Sequence, residues 1–196
     1  IWYDIIDFDF WRDYAKLSDL IISICEEYHQ EGSSLVNYFT MSAEMCDCFD
    51  NRRAGVKYIL NQIHKIKYSS YIFSKHGLIK FDSKHKISQD TVGSYNWYAS
   101  ALYVSKVIND AILIDFGSTT CDFSIIKNGK IQNKRTSDID GMFTKELLYT
   151  GCSRTPIYAH INEITFRDKI YNIIPESFSS MSDINIILGN LSKGDI

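Results

Sequence analysis

The residues best suited to chemistry lie between Asp115 and Asp122, where a hydrophobic stretch gives way to the sequence DFGSTTCD. Gly117 lets a bend of the backbone approach an anion closely, and successive amide groups at such a bend form an anion-binding concavity. Hydroxyl donors follow the glycine at Ser118, Thr119 and Thr120. The pattern therefore predicts a phosphate-binding turn between two strands.

An acidic residue stands on each side of this turn. Because carboxylates repel phosphate, the natural task of Asp115 and Asp122 is to hold Mg²⁺ through its waters. An ordinary polar turn is the competing interpretation, since Asp, Gly, Ser and Thr are common turn formers. The apolar strands around the turn and the second turn at Asn128-Gly129 favour a site for a metal-bound phosphate or pyrophosphate.

Glu44 and Asp47 follow a predicted strand, at the end of the sheet where α/β proteins usually bind ligands. Either carboxylate is a candidate general base. The alternative is that both are acids in the first turn of a helix, where they complement the helix dipole. The sequence leaves both interpretations open.

Arg154 and Asn96 complete the candidate residues. Arg154 precedes Thr155-Pro156, and the rigid proline makes its loop stiff, so the guanidinium is a candidate clamp for an anion or a carboxylate. A salt bridge, either on the surface or between two parts of the fold, is the alternative. Asn96 opens a predicted helix and is either a helix cap or a residue of a ligand cleft.

These residues must be positioned by alternating helices and strands. Apolar periodicity predicts helices over residues 11–30, 51–65, 95–108, 143–149 and 177–188. Short runs of branched and aromatic residues predict strands over 35–40, 67–73, 78–81, 111–114, 121–126 and 130–132. Residues 83–94 form a polar linker, and Gly151 is expected to end the fourth helix. This mixed order predicts an α/β fold.

Composition excludes several classes of function. The chain has 196 residues, 45% of them hydrophobic, and its 21 basic and 24 acidic residues give no basic surface for nucleic acid or acidic lipid. There is no apolar run long enough to span a membrane, and the acidic start is unlike a signal peptide. The five cysteines are odd in number and suit reduced thiols. We expect a cytoplasmic protein with a small phosphorylated partner, and its oligomeric state stays open.

Four stretches match motifs of one family and occur in the same order along the chain. They are residues 40–47 with 51–56, residues 96–97, residues 115–122, and residues 148–151 with 154–156. A weaker fifth stretch covers 176–183. In these motifs the sequence resembles the hydantoinase/oxoprolinase-like proteins of the tetrahydromethanopterin-linked one-carbon pathway, a group that includes the methanofuran-biosynthesis synthases. The matches extend over nearly the whole chain.

The resemblance implies a fold of the actin, sugar-kinase and Hsp70-like superfamily, in which two ribonuclease H-like lobes enclose a ligand cleft. It assigns residues 1–94 to the remainder of the first lobe, 95–110 to a linking helix, and 111–196 to part of the second lobe. The family pattern also has an earlier phosphate loop and a later stretch. We therefore expect the fold to be incomplete at both ends of this chain.

The resemblance further implies a transferase that joins the phenol of glutamyl-tyramine to a furanmethyl diphosphate and releases pyrophosphate. Glu44 and Asp47 would then be the catalytic bases, and the Asp115–Asp122 hairpin with Mg²⁺ would neutralise the leaving group. The alternatives are an ATP-dependent kinase or hydantoinase-like hydrolase, in which ATP is the ligand, and a non-catalytic ligand-binding fragment.

Overall fold

A computed structural model describes residues 4–32, 34–81 and 87–192. The chain divides into two compact units, Ile1–Ser100 and Ala101–Ile196. Residues 83–86 of the predicted linker lie outside the described residues. Within the described ranges, no helix is long and apolar enough to cross a membrane.

The first unit combines helices with a three-stranded sheet. Its helices are α1 (Phe10–Asp13), α2 (Leu17–Tyr28), α3 (Arg52–Ile63) and the start of α4 (Asn96–Val107), with 3-10 turns at Tyr14–Lys16 and Gln89–Thr91. Its strands are β1 (Val36–Phe39), β2 (Ser69–Ser74) and β3 (Gly77–Phe81). Strand β2 is central, parallel to β1 and antiparallel to β3.

Helix α3 supplies much of the core of this unit. It begins after Asn51, whose side chain accepts a hydrogen bond from the Ala54 amide at 3.0 Å. Its buried residues include Val56, Ile59 and Ile63, at the three- and four-residue spacing of one helix face. They join Ile72 of β2 in one apolar cluster, so the predicted periodicity of this helix is confirmed.

The second unit is built on a small antiparallel sheet. Its strands are β4 (Ala111–Phe116), β5 (Cys121–Lys127), β6 (Lys130–Ile131) and β7 (Leu147–Leu148), and a separate hairpin contains β8 (Glu163–Phe166) and β9 (Lys169–Asn172). Its remaining elements are α5 (Asp138–Thr144), a 3-10 turn at Ile157–Ala159 and α6 (Met181–Ile187). Strand β5 pairs with β4, β6 and β7.

The predicted hairpin around the DFGSTTCD motif is present. Strands β4 and β5 are antiparallel, with Asp115 opposite Asp122, and the Gly117 amide donates to the Thr120 carbonyl oxygen at 2.9 Å. The second predicted turn has positive φ angles at Asn128 (52°) and Gly129 (67°), as a tight two-residue hairpin turn requires. The mixed α/β class is likewise confirmed.

The predicted helix over residues 143–149 is wrong. The helix in this region is α5, and it begins after Ser137, whose side chain accepts from the Asp140 amide. It ends at Lys145, which has a left-handed φ of 60°. Leu147 and Leu148 then pair with β5 as strand β7, so Gly151 does not end a helix.

Two further differences lie towards the end of the second unit. The last helix was predicted from residue 177 but begins at Met181, where the Ser180 amide donates to the Asp183 carboxylate at 2.7 Å. The β8–β9 hairpin was not predicted. Its turn is formed by Arg167 and Asp168, both with positive φ, and lacks the glycine that usually marks such turns.

Helix α4 runs across the boundary between the two units. Its first residue, Asn96, is exposed, whereas Trp97 is buried and lies edge-on to Tyr98 with ring centroids 5.5 Å apart. The assignment of this helix as a link between lobes stays a prediction.

Candidate functional site

A second loop, residues 151–155, holds the predicted phosphate turn by backbone hydrogen bonds. The Cys152 amide donates to the Gly117 carbonyl oxygen at 3.0 Å, and the Arg154 amide donates to the Ser118 carbonyl oxygen at 2.9 Å. The Ser153 amide also approaches the Ser118 oxygen, at 3.3 Å. We call this set of bonds the clasp. It fixes the phosphate turn to the loop that carries Arg154.

Gly151 is the point of closest approach in the clasp. A Cβ atom at this position would lie 2.5 Å from the Thr119 nitrogen and closer still to the Ser118 carbonyl group. These neighbours are backbone atoms, so a flexible side chain cannot move aside to make room. The requirement for glycine here arises from packing and not from the end of a helix, as the sequence suggested.

Helix α6 supports the clasp from another direction. The Ser182 amide donates to the Ser153 carbonyl oxygen at 3.0 Å, and the Asn185 side-chain amide donates to the Cys152 carbonyl oxygen at 2.8 Å. The Met181 amide donates to the Thr155 carbonyl oxygen at 2.9 Å. Three of the motif stretches, 115–122, 148–151 with 154–156, and 176–183, are therefore parts of one hydrogen-bonded assembly.

The side chains predicted to bind phosphate remain accessible in this assembly. Ser118 and Thr119 are exposed, with their hydroxyl oxygens 3.4 Å apart, and Thr120 is half-buried. Arg154 is exposed, and its guanidinium forms no ion pair in the part of the chain that the structure describes. The clasp thus brings hydroxyl donors and one arginine into the same region while leaving them available to a ligand.

Asp122 has a partner that sequence reasoning missed. The Arg135 guanidinium donates to the Asp122 carboxylate, and Arg135 is only 5% exposed. The backbone around Arg135 is fixed too, because the Lys134 and Arg135 amides donate to the Glu146 carboxylate at 3.0 and 3.1 Å. No local pattern links residue 135 to residue 122, so the sequence carried no signal for this pair.

Burial raises the pKa of Asp122. The hydrogen bond and positive charge of Arg135 oppose that shift, while the negative charge of Asp115 adds to it. An ion pair normally lowers the pKa of a carboxylate. Here the pKa is raised because the loss of hydration on burial destabilises the ionised form of Asp122 more than Arg135 stabilises it. The two side chains are in direct contact.

The two aspartates differ in their suitability as ligands for Mg²⁺. Asp122 already holds Arg135, whereas Asp115 is half-buried and lies opposite it on the same face of the hairpin. The described residues contain no group of three or more His, Cys, Asp and Glu side chains that would bind a metal by themselves. Mg²⁺ commonly binds one or two carboxylates together with substrate phosphates, so a single carboxylate such as Asp115 is compatible with such a metal, and its role as a metal ligand stays a prediction.

Glu44, a predicted base, lies inside the first unit. It is 1% exposed, and its Oε1 accepts a hydrogen bond from the Ser94 hydroxyl at 2.9 Å. Its Oε2 has no hydrogen-bond partner within residues 4–32, 34–81 and 87–192. Asp47 is exposed and thus differs sharply from Glu44. The catalytic roles of both residues stay predictions.

Ser94, the partner of Glu44, is itself in an uncommon conformation. Its φ is 55°, in the left-handed region that non-glycine residues rarely occupy. The preceding Gly93 carbonyl oxygen accepts from the Arg52 guanidinium at 2.6 Å. Glu44 and Arg52 therefore anchor residues 93–94, shortly before helix α4 begins at Asn96.

All five cysteines of the chain are free thiols.

The hydantoinase/oxoprolinase family model matches residues 36–195. The chain belongs to the hydantoinase/oxoprolinase family. The match includes the phosphate turn, the clasp and helix α6, and it confirms the family indicated by the sequence motifs.

Two curated relatives of the chain carry the same name, (4-{4-[2-(gamma-L-glutamylamino)ethyl]phenoxymethyl}furan-2-yl)methanamine synthase. The protein from Methanocaldococcus jannaschii is 32% identical over 194 residues, which cover 97% of this chain and 56% of the relative. The protein from Methanococcus vannielii is 38% identical over 96 residues, or 48% of this chain and 43% of the relative. The chain therefore spans about half the length of the relatives it matches.

Proposed function

We propose that this hydantoinase-family chain is part of a synthase that forms an aryl ether between glutamyl-tyramine and a furanmethyl diphosphate. The proposal extends to this chain the product named for its two relatives, which contains a phenoxymethylfuran group. The fold it implies is a pair of ribonuclease H-like lobes, of which the β4–β5 hairpin begins one. ATP-dependent phosphoryl transfer is the competing activity for the same turn.

The reaction defines what the residues must do. The phenol oxygen attacks the furanmethyl carbon, the bond from that carbon to the diphosphate oxygen breaks, and pyrophosphate leaves with the electron pair. The phenol proton passes to a base, because a phenol with a pKa near about 10 is a poor nucleophile while protonated. The protein must therefore hold a diphosphate firmly and offer a carboxylate to the phenol.

The clasp is the observation that carries the proposal. It joins the turn that carries the hydroxyls of Ser118 and Thr119 to the loop of Arg154, so exposed hydroxyls and a guanidinium are carried by one braced region. Such preorganised donors stabilise charge that develops on a leaving group. Arg154 adds a planar cation suited to bidentate phosphate binding.

The remaining roles follow from accessibility. Asp115 would bind Mg²⁺ that accompanies the diphosphate, and the metal would supply further neutralisation of the leaving oxygens. Asp122 holds Arg135 and so maintains the hairpin. Asp47 is the accessible candidate base of the first unit, whereas Glu44 contacts Ser94. Asn96 is exposed and available to a ligand.

Calorimetric titration with pyrophosphate, with and without Mg²⁺, tests the phosphate site. We expect metal-dependent binding, weakened about tenfold or more in Arg154→Gln because a hydrogen bond to a charged group is lost. Arg167→Gln is the matched control, since it removes an exposed arginine of the same unit that lies on the β8–β9 turn. Equal weakening by both variants would contradict a specific role for Arg154.

A parallel titration with ATP separates the two activities. Preferential, Mg²⁺-dependent binding of ATP over pyrophosphate would favour phosphoryl transfer and count against the synthase. Pyrophosphate binding that exceeds ATP binding would support the synthase, because its leaving group is pyrophosphate itself.

A further inference from the structure

We infer that Gly151 and Thr155 are positioning residues of the phosphate site: they set the phosphate turn and Arg154 in a single relative geometry without touching the ligand. The inference rests on the proposed function, whose ligand it uses. Its basis is the hydrogen bond between Gly151 and Thr155, the clasp bonds made by the same loop, and the close contact at Gly151.

Thr155 shapes the loop from within. Its hydroxyl accepts a hydrogen bond from the Gly151 amide at 2.7 Å, and Thr155 is 6% exposed. This bond joins the two ends of the loop 151–155 through the Thr155 side chain. The Thr155 carbonyl oxygen meanwhile accepts from the Met181 amide of α6, so one residue connects the loop to its outside support.

Gly151 then presents this closed loop to the phosphate turn. The absence of a Cβ lets the loop approach the Ser118–Thr119 peptide until the Cys152 and Arg154 amides reach their acceptors. A displacement of the loop breaks these two bonds together and carries Arg154 away from Ser118. Misplacement of a binding group by about 1 Å is enough to reduce function about a hundredfold in well-fitted sites.

The hydroxyl of Thr155 is the part of this arrangement that is simplest to remove. Thr155→Val keeps the branched shape but leaves the buried Gly151 amide without its acceptor, whereas Thr155→Ser keeps the acceptor. Gly151→Ala is the more drastic variant and is used only if it folds. The tests below therefore depend on the threonine pair.

Asn133→Ala is the control for general weakening of the second unit. The Asn133 side chain accepts from the Ile125 amide at 2.9 Å and donates to the Phe123 carbonyl oxygen at 2.7 Å. Its loss removes two hydrogen bonds from strand β5 without touching the clasp. Unfolding midpoints of all variants are measured so that affinities are compared at matched stability.

The experiment titrates the chain and each variant with pyrophosphate in Mg²⁺ and follows amide hydrogen exchange of Cys152 and Arg154. We expect Thr155→Val to lose about tenfold in affinity and to lose protection at both amides together. Thr155→Ser should retain both properties, and Asn133→Ala should retain the affinity.

Failure of this inference differs from failure of the proposed function. Lost amide protection with unchanged pyrophosphate affinity in Thr155→Val would overturn the positioning role alone. Equal loss of affinity in Asn133→Ala would also overturn it, because the effect would then follow stability. Absence of pyrophosphate binding by the unaltered chain would overturn the proposed function and the positioning role with it.

Discussion

Each of the two units is stabilised internally by a different kind of interaction. In the first, the core is an apolar cluster in which Val56, Ile59 and Ile63 meet Ile72. In the described part of the second, buried apolar side chains are few: Ala101, Cys121, Ile126 and Leu147. Its buried polar residues, by contrast, include Ser124, Arg135, Thr155 and Ser182. Apolar burial has no preferred direction, whereas hydrogen bonds fix angles and distances.

The difference suits the proposed tasks of the two units. Binding a phosphate needs donors held at defined positions, and the second unit holds them with the clasp and with the Asp122–Arg135 pair. The same unit leaves large apolar side chains exposed on one face of β4, at Ile112, Ile114 and Phe116. The first unit instead buries one of its two candidate bases, Glu44, and leaves the other, Asp47, exposed.

Of the variants considered, substitution of Arg135 should lower the free energy of unfolding of the second unit the most. Arg135→Met leaves the Asp122 carboxylate without its buried partner, and the loss of unfolding free energy should be about 3–5 kcal/mol at neutral pH. Denaturant titration combined with hydrogen exchange of β5 amides would measure it. A loss below about 1 kcal/mol, as for an exposed pair, would show that the ion pair is solvated.

The pH dependence of this loss has a definite sign. Asp122 has a raised pKa in the folded chain, so its ionised form costs folding free energy at pH values above that pKa, and protonation relieves the cost below it. The penalty of Arg135→Met should therefore shrink as pH falls from neutral towards the unfolded pKa near about 4. A penalty independent of pH would contradict burial of an ionised Asp122.

A core truncation in the first unit should have the next largest effect. Ile72 is 0% exposed, and Ile72→Ala should lower the free energy of unfolding by about 2–5 kcal/mol through lost burial and a new cavity. Hydrogen exchange should show the loss in amides of β2 and α3. Equal losses throughout the second unit would contradict the division into two units and indicate a single cooperative transition.

The smallest effect is expected on the exposed face of β4. Ile114 is 58% exposed, so Ile114→Thr should change the free energy of unfolding by no more than about 0.5 kcal/mol. It keeps a branched side chain suited to a strand. A change above about 1 kcal/mol would show that this face is covered in solution, and size-exclusion chromatography would then reveal whether a second copy covers it.

Local sequence signals predicted the elements whose patterns are strong. The apolar spacing of α3 and the Asn128-Gly129 turn led directly to the observed helix and hairpin. The prediction over 143–149 failed because Leu147, which has helical spacing with Phe143, pairs with β5 together with Leu148. Tertiary contact overrode local propensity there. The Ser137–Asp140 cap was the overlooked signal of the true helix start.

The sequence singled out the residues of the candidate site, whose role in binding stays a prediction, but not the hydrogen bonds that join them. The residues of the phosphate turn and Arg154 stood out by type and spacing. Their connection through Gly151 did not, because a glycine required by packing and a glycine that ends a helix look alike in sequence. Arg135 was missed for a similar reason: its partner lies across a sheet, and no local rule links the two positions.

The clasp also indicates which positions can drift in the course of evolution. Its bonds at Cys152 and Ser153 use main-chain atoms, which every residue except proline supplies in full. Substitution of Cys152 should therefore leave the turn in the same place, whereas substitution of Ser153 also removes the 3.4 Å hydrogen bond from its hydroxyl to the Ser118 carbonyl oxygen. Position 151 must remain glycine, because even one methyl group there would collide with the backbone of Ser118 and Thr119. The geometry of the site therefore depends on the lack of a side chain at this one position.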